Sequence, residues 1–259
     1  MLNIVVLVKH VYDENQLKVD KQSGGIAFSG VPTKISDFDR RAVEAALVLK
    51  ASTGGRVTSL TLGPEEAGKT LREVLAMGVD QTVLVKEQGT DRLDALATST
   101  VLQRALEKVG GFDLLICAEG SVDSYSSLLA PMLAEKLHIP LLTYAQKLQL
   151  KEGSLTVERA LEKKVEVVEA KLPACVTVAG EINDPRIPTL LQIMGAMKKP
   201  ITTYSLADLG LDLVGLAGHY RLLELSAKSR DRRKIVFDGT VPEAVGKLVD
   251  ALVKEGLVS

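Results

Sequence analysis

Tryptophan is absent from the 259-residue chain, and only five tyrosines and four phenylalanines supply aromatic rings. A chain so poor in rings carries no run of stacking side chains for single-stranded nucleic acid. An excess of charge is also missing: 32 basic residues face 33 acidic ones, leaving a net charge of −1. Nucleic acid as a main partner calls for a basic excess, and so does an anionic membrane surface. The two cysteines, Cys117 and Cys175, sit in the apolar runs LLICA and ACVTV, which reads as buried, reduced thiols in a reducing compartment. With three histidines beside them, no spacing suits a structural zinc, and no metal site is expected. No apolar run approaches the roughly 18 residues of a membrane span. The opening MLNIVVLVKH lacks the basic start and small-residue cleavage site of a signal segment. The expected location is the cytoplasm.

The phosphate-binding motifs GxGxxG and GxxxxGK[ST] are missing too. His10, His138 and His219 stand in unrelated contexts, and no acid, base and nucleophile cluster together. This favours a carrier or binding protein over an enzyme, and no catalytic residue is assigned.

What is present is an ordinary globular composition, 46% hydrophobic and 25% charged, enough for a sizeable core. At about 150 residues per domain the length implies one to two domains. Apolar runs at Ile4–Val8, Val57–Leu62, Thr82–Val85 and Leu114–Ala118 read as strands. Helical patterns fill the gaps: Asp39–Lys50 with Ser36 as a plausible cap, Glu65–Met77 ending at Gly78, Leu93–Val109 after Asp91, and Ser126–Leu137 before Pro140. Such alternation predicts a mostly parallel, doubly wound α/β sheet covered on both faces. After Pro140, Ala145–Leu150 and Leu155–Glu158 predict a hairpin around a four-residue turn, Lys151–Ser154. Val165–Ala170 and Ala174–Ala179 add strands to the same sheet. Residues 202–240 lack periodicity and hold the charge cluster Lys228, Arg230, Asp231, Arg232, Arg233, Lys234. Pro242–Lys254 then reads as an amphipathic helix capped by Thr240. The expected division is an α/β nucleotide-binding domain over 1–200 and a C-terminal arm over 201–259 that packs on another chain.

In an open parallel sheet, ligands lie beyond the carboxyl ends of the strands. Lys9–Asp13, Gly30–Phe38 and Glu119–Ser127 should reach that edge. The last is small and polar and leads into a helix, which suits a phosphate; serine and aspartate in that place are more often plain caps.

Several segments together resemble the beta subunit of electron-transferring flavoproteins. VVLVKHVYD is similar to that family's opening strand ending in V-K-x-V, and SDFDRRAVEAALVLK to its N-P-F-D-x-x-A-V-E-x-A-L-x-L-K segment. LREVLAMGVDQTVLV, LTVERALEKKVEVVEAKLPACVTV and INDPRIPTLLQIMGAMKKPI match further family blocks in collinear order, from residue 1 to about 213. The resemblance implies an α/β fold of the adenine-nucleotide alpha-hydrolase type and a heterodimer. The alpha subunit would carry the redox-active FAD, and the beta subunit would hold AMP or, in electron-bifurcating members, a second FAD. Partners would be the alpha subunit and flavin dehydrogenases or a quinone oxidoreductase. The implied nucleotide-site positions are Leu7, Lys9, Ser36, Phe38, Leu62, Ser121, Asp123, Ser124, Ser126, Ser127 and Pro131. Arg186, Leu190, Leu191 and Met194 would dock the redox partner, and Glu158 would face the alpha subunit's flavin domain. The chain departs from the family in the nucleotide loop, where Tyr125 replaces an acidic residue, Leu128 a glutamine and Ala130 a glycine, and Ser36-Asp37 replaces N-P. Two readings follow: an electron-transfer subunit, or a divergent nucleotide-binding or scaffolding subunit without a redox role.

Overall fold

The computed structural model describes residues 1–20, 24–90, 93–216, 223, 225–226 and 234–258. His219 and most of the charge cluster before Lys234 lie outside the described residues. The strands are β1 (Asn3–Leu7), β2 (His10–Tyr12), β3 (Lys18–Val19), β4 (Ile26–Ala27), β5 (Thr33–Ile35), β6 (Arg56–Gly63), β7 (Gln81–Lys86), β8 (Leu114–Ala118), β9 (Leu141–Lys151), β10 (Ser154–Leu161), β11 (Lys164–Lys171), β12 (Ala174–Val178) and β13 (Thr202–Tyr204). The helices are α1 (Asp37–Thr53), α2 (Gly68–Met77), α3 (Ala95–Val109), α4 (Leu129–Leu137), α5 (Leu190–Lys198) and α6 (Val241–Lys254). Among these residues no helix is long and apolar enough to cross a membrane.

Nine strands form one sheet in the order β11-β10-β9-β12-β8-β1-β6-β7-β13. From β9 through to β13 the pairings are parallel, and β10 runs antiparallel to its two neighbours β9 and β11. The central strands alternate between two cores, as a period of two requires. Leu114 and Ile116 of β8 pack with α1 and α2 residues such as Val43, Leu47, Leu71 and Val74. Leu115 and Cys117 face the other side, with Val101 and Leu106 of α3 and Leu133 of α4. The sheet is therefore wound on both faces, as the strand–helix alternation predicts.

This winding fixes where the sheet opens at its carboxyl edge. The chain steps outward from β1 to β6 and β7 with α1 and α2 on one face. It then returns to place β8 on the other side of β1, with α3 and α4 on the opposite face. The order reverses between β1 and β8, so the crevice of this sheet opens beyond Leu7 and Ala118.

Four details differ from the sequence reading. The hairpin turn has two residues, since Lys151 pairs with Ser154. Glu152 and Gly153 take φ of 47° and 79°, the left-handed pair whose twist suits a tight hairpin. α3 starts at Ala95, where the Asp94 carboxylate accepts from Ala97 N at 2.7 Å. α4 starts at Leu129 and not at Ser126, because Tyr125 and Ser127 lie at φ 44° and 55° and break the helical path. The stretch from residue 202 holds a strand, β13, which completes the sheet edge beside β7; three residues are too few to show a period.

The described chain divides into two compact units. One comprises Met1–Lys18 and Ala27–Glu224, the α/β body. The other comprises Val19–Ile26 and Leu225–Ser259 and includes α6. Thr240 caps α6 and forms a capping box with Glu243.

Candidate functional site

Lys9, just past β1, is the junction of the crevice. Its N–H donates to Asp39 Oδ2 at 2.7 Å, and its carbonyl accepts from Ser36 N at 3.1 Å. Its ammonium reaches across to the loop after β8, 2.7 Å from Asp123 Oδ2 and 2.9 Å from Oδ1. Asp123 also accepts from Ser121 Oγ at 2.6 Å, and Ser121 lies 3.1 Å from Ser124 Oγ. Val122 N donates to the buried Ser36 Oγ at 3.4 Å. One lysine and one serine thus tie the segments after β1, β5 and β8 together.

Asp39 was not among the residues expected here. In the sequence it reads as acidic support for the first turn of α1. In the fold it is buried and accepts from the Lys9 N–H. Burial pushes its carboxyl up to about 8, against the pull of the Lys9 N–H and ammonium. It is therefore neutral at pH 7. Asp123 goes the other way: burial opposes its charge, but the hydrogen bonds from Lys9 and Ser121 hold it below the usual carboxylate range. Asp37, which stands where the family has proline, turns away to Lys34 Nζ at 2.9 Å. Around Lys9 the crevice thus carries one neutral acid and one lysine–aspartate pair. An anionic group there meets less repulsion than the sequence count of acids implies.

Leu7 is buried at the end of β1, and Leu62 is half-buried near the end of β6. Phe38 lies at the start of α1 with its ring 5.3 Å from that of Tyr125. Ser126 is exposed in the loop, Ser127 half-buried, and Pro131 exposed in the first turn of α4. The structure brings Lys9, Ser36, Ser121, Asp123 and Ser124 into one bonded network.

The proposed docking residues lie elsewhere on the body. α5 opens with a capping box between Thr189 and Gln192. Its Ala196 is buried against Leu75 and Ala76 of α2, and Arg72 donates to the carbonyls of Ala196 and Lys199. Outward it shows Leu190 (73% exposed), Leu191, Met194 and Met197. Arg186 is tied to the body of the fold. Its guanidinium grips Glu44 of α1 at 2.7 and 2.8 Å, and its backbone N–H adds a third bond at 3.1 Å. Glu158 lies on β10 at a bulge, where the register with β9 shifts, and pairs with Lys147 at 2.9 Å.

The model of the electron transfer flavoprotein domain matches residues 23–209. Electron transfer flavoprotein subunit beta of Thermoanaerobacterium thermosaccharolyticum is 35% identical over 255 residues, 97% of this chain and 98% of its own length. The chain belongs to the electron transfer flavoprotein beta-subunit family. The beta subunit of Clostridium acetobutylicum is 34% identical over 257 residues, 98% of this chain and 99% of its own. Subunit CarD of the caffeyl-CoA reductase–Etf complex of Acetobacterium woodii is 32% identical over 262 residues, 99% of this chain and all of its own. The mostly parallel α/β sheet agrees with this membership.

Proposed function

We propose that this chain is the base of an electron transfer flavoprotein heterodimer. It holds an adenine nucleotide, AMP or a second FAD, in the crevice between β1 and β8, and it docks the protein that supplies the electrons. The redox-active FAD belongs to an alpha subunit, and this chain acts as a carrier subunit without catalysis of its own. The observation that carries the reading is the position of the 119–127 loop: it leaves β8 where the strand order reverses, and it is tied to Lys9 and Ser36 from the neighbouring segments. Loop amides, serine hydroxyls and a lysine are suited to a phosphate. The nucleotide positions are Leu7, Lys9, Ser36, Phe38, Leu62, Ser121, Asp123, Ser124, Ser126, Ser127 and Pro131. The C-terminal part of the chain beyond the α/β body, Leu225–Ser259, packs on the alpha subunit. Its helix α6 exposes Val241, Val245, Leu248, Val249 and Val253, a row that suits an apolar partner surface. Glu158 faces the flavin domain.

Docking falls to Arg186, Leu190, Leu191 and Met194. Exposed large apolar side chains on a capped, well-anchored helix suit a partner pocket. The relative CarD is named as part of a reductase complex, which favours a flavin-containing reductase or dehydrogenase as the occupant. Leu190→Ala removes an anchor that folding hardly uses, since the side chain is 73% exposed. Its expected effect is a roughly tenfold weaker capture of the electron donor, with melting temperature and nucleotide content unchanged. Titration of the purified heterodimer with its dehydrogenase, beside a melting curve, checks this. A large fall in melting temperature, or unchanged capture, contradicts it.

A further inference from the structure

Three of the nine aromatic residues gather at the crevice end of the sheet: Phe38, Tyr125 and Tyr144. Two of them are built in at a conformational cost. Tyr125 and Tyr144 sit at φ 44° and 57°, a left-handed backbone that residues with a β-carbon avoid. Each is held there. Tyr125 N donates to Ser121 O at 2.9 Å, and Tyr144 N to Thr177 Oγ1 at 3.0 Å. Around Tyr144 three steps along β9 match two along β12, from Leu142–Val176 to Ala145–Val178. An extra residue of this kind re-aims a side chain. Gly120 makes room for the Tyr125 ring: a β-carbon there would stand 2.8 Å from Tyr125 Cδ2. Phe38 backs the ring at 5.3 Å, and Phe38 and Glu119 both lie beside Gly180. Despite this support the rings are open to solvent, Tyr125 by 51% and Tyr144 by 40%.

Strained, supported and exposed rings do not serve the core. The groups around them define what they receive. Glu119 lies with Phe38 against Gly180, and it and Glu181 are the acids whose charge bears on the Tyr125 hydroxyl. These acids disfavour a phosphate at this end and suit a ring that presents N–H groups. Lys9 meets the same loop at Asp123, between Ser121 and Ser124. We infer that Tyr125, backed by Phe38 and flanked by Tyr144, is the stacking platform for the planar heteroaromatic ring of the nucleotide. Glu119 accepts from an N–H on the edge of that ring, and the phosphate points toward Lys9. Adenine and isoalloxazine share this chemistry, since both are flat and both carry ring-edge N–H donors. The inference rests on the nucleotide reading above and adds to it the ring subsite and the orientation of the ligand.

The test uses the full chain and four probes: adenosine and AMP, riboflavin and FMN, followed by calorimetry and, for the flavins, by fluorescence quenching. Tyr125→Ala is expected to weaken the ring-bearing probes at least tenfold, and Tyr125→Phe to stay within about threefold of wild type, because the ring face is kept. Gly120→Ala, which pushes the ring aside, should reproduce the loss. Melting temperatures of the Tyr125 variants should match wild type. A loss confined to adenosine and AMP identifies adenine as the ring; a loss confined to riboflavin and FMN identifies isoalloxazine. Wild-type affinity in Tyr125→Ala, or tighter binding, overturns the platform and leaves the crevice reading standing. A wild-type chain that binds none of the four overturns both.

Discussion

Arg186→Ala is expected to lower stability by about 2 kcal/mol, or roughly 5 °C in melting temperature for a chain of this size. Glu44 is the reason. Its side chain is 9% exposed, and its carboxylate depends on three hydrogen bonds from Arg186. Removing the guanidinium leaves a nearly buried charge without its partner. A wholly buried pair would cost ~3–5 kcal/mol; the figure is smaller here because Arg186 itself is 44% exposed. The sign of the pH dependence follows. Burial works to raise Glu44, but the bonds from Arg186 win and hold it below its ordinary 4.5. A depressed carboxyl contributes stability above its ordinary value and loses it as pH falls through the folded one. The difference between wild type and Arg186→Ala should therefore be full at pH 7 and shrink under acid conditions. Arg186→Lys should fall between them, since a point charge cannot make the two-pronged contact. Melting curves from pH 3 to 7 check this. A gap that does not change with pH would remove Glu44 from the explanation.

Asp39→Asn should act in the opposite direction. The folded protein keeps Asp39 protonated up to about 8, while the unfolded chain releases that proton near 3.9. Between these values the folded state binds the extra proton, so stability is fully present below the unfolded value and is lost as pH rises through the folded one. From pH 5 to pH 8 this single group costs the wild type on the order of 3 kcal/mol. Asparagine never ionises and still accepts from Lys9 N–H. The variant should match wild type near pH 5 and exceed it in urea midpoint near pH 8. Parallel pH profiles for the two proteins would show that Asp39 does not titrate in this window. The same neutrality matters to the crevice, because a charged Asp39 would repel a phosphate placed near Lys9.

The frame of the sheet was readable because the strands announce themselves. Leu114–Ala118 is a five-residue apolar run, and a strand buried on both faces needs such a run. α1 could be found from Ala42, Val43, Ala46 and Leu47 recurring on one side. The crevice was readable only as three segments. Their meeting at Lys9 depends on the strand order, and nothing local in Lys9–Asp13 or Glu119–Ser127 encodes that β1 and β8 are neighbours. Asp39 shows a second limit. Two acids in the first turn of a helix look alike in sequence, yet Asp37 faces Lys34 in solvent and Asp39 is buried. Tyr125 shows a third: its left-handed backbone breaks the start of α4, and no propensity scale places a tyrosine there. The Arg186–Glu44 contact could not be read from sequence, because Glu44 lies 142 residues away in the chain.

The central claim is that the β1–β8 crevice of this chain holds an adenine nucleotide within a flavoprotein heterodimer. The most direct test is to co-express the chain with an electron transfer flavoprotein alpha subunit, denature the purified complex, and identify and count the released small molecules by mass spectrometry. The account predicts a yellow heterodimer that releases the alpha subunit's FAD and one further nucleotide, AMP or a second FAD. A heterodimer that releases one flavin and nothing else, or a chain that stays a colourless monomer, would contradict it.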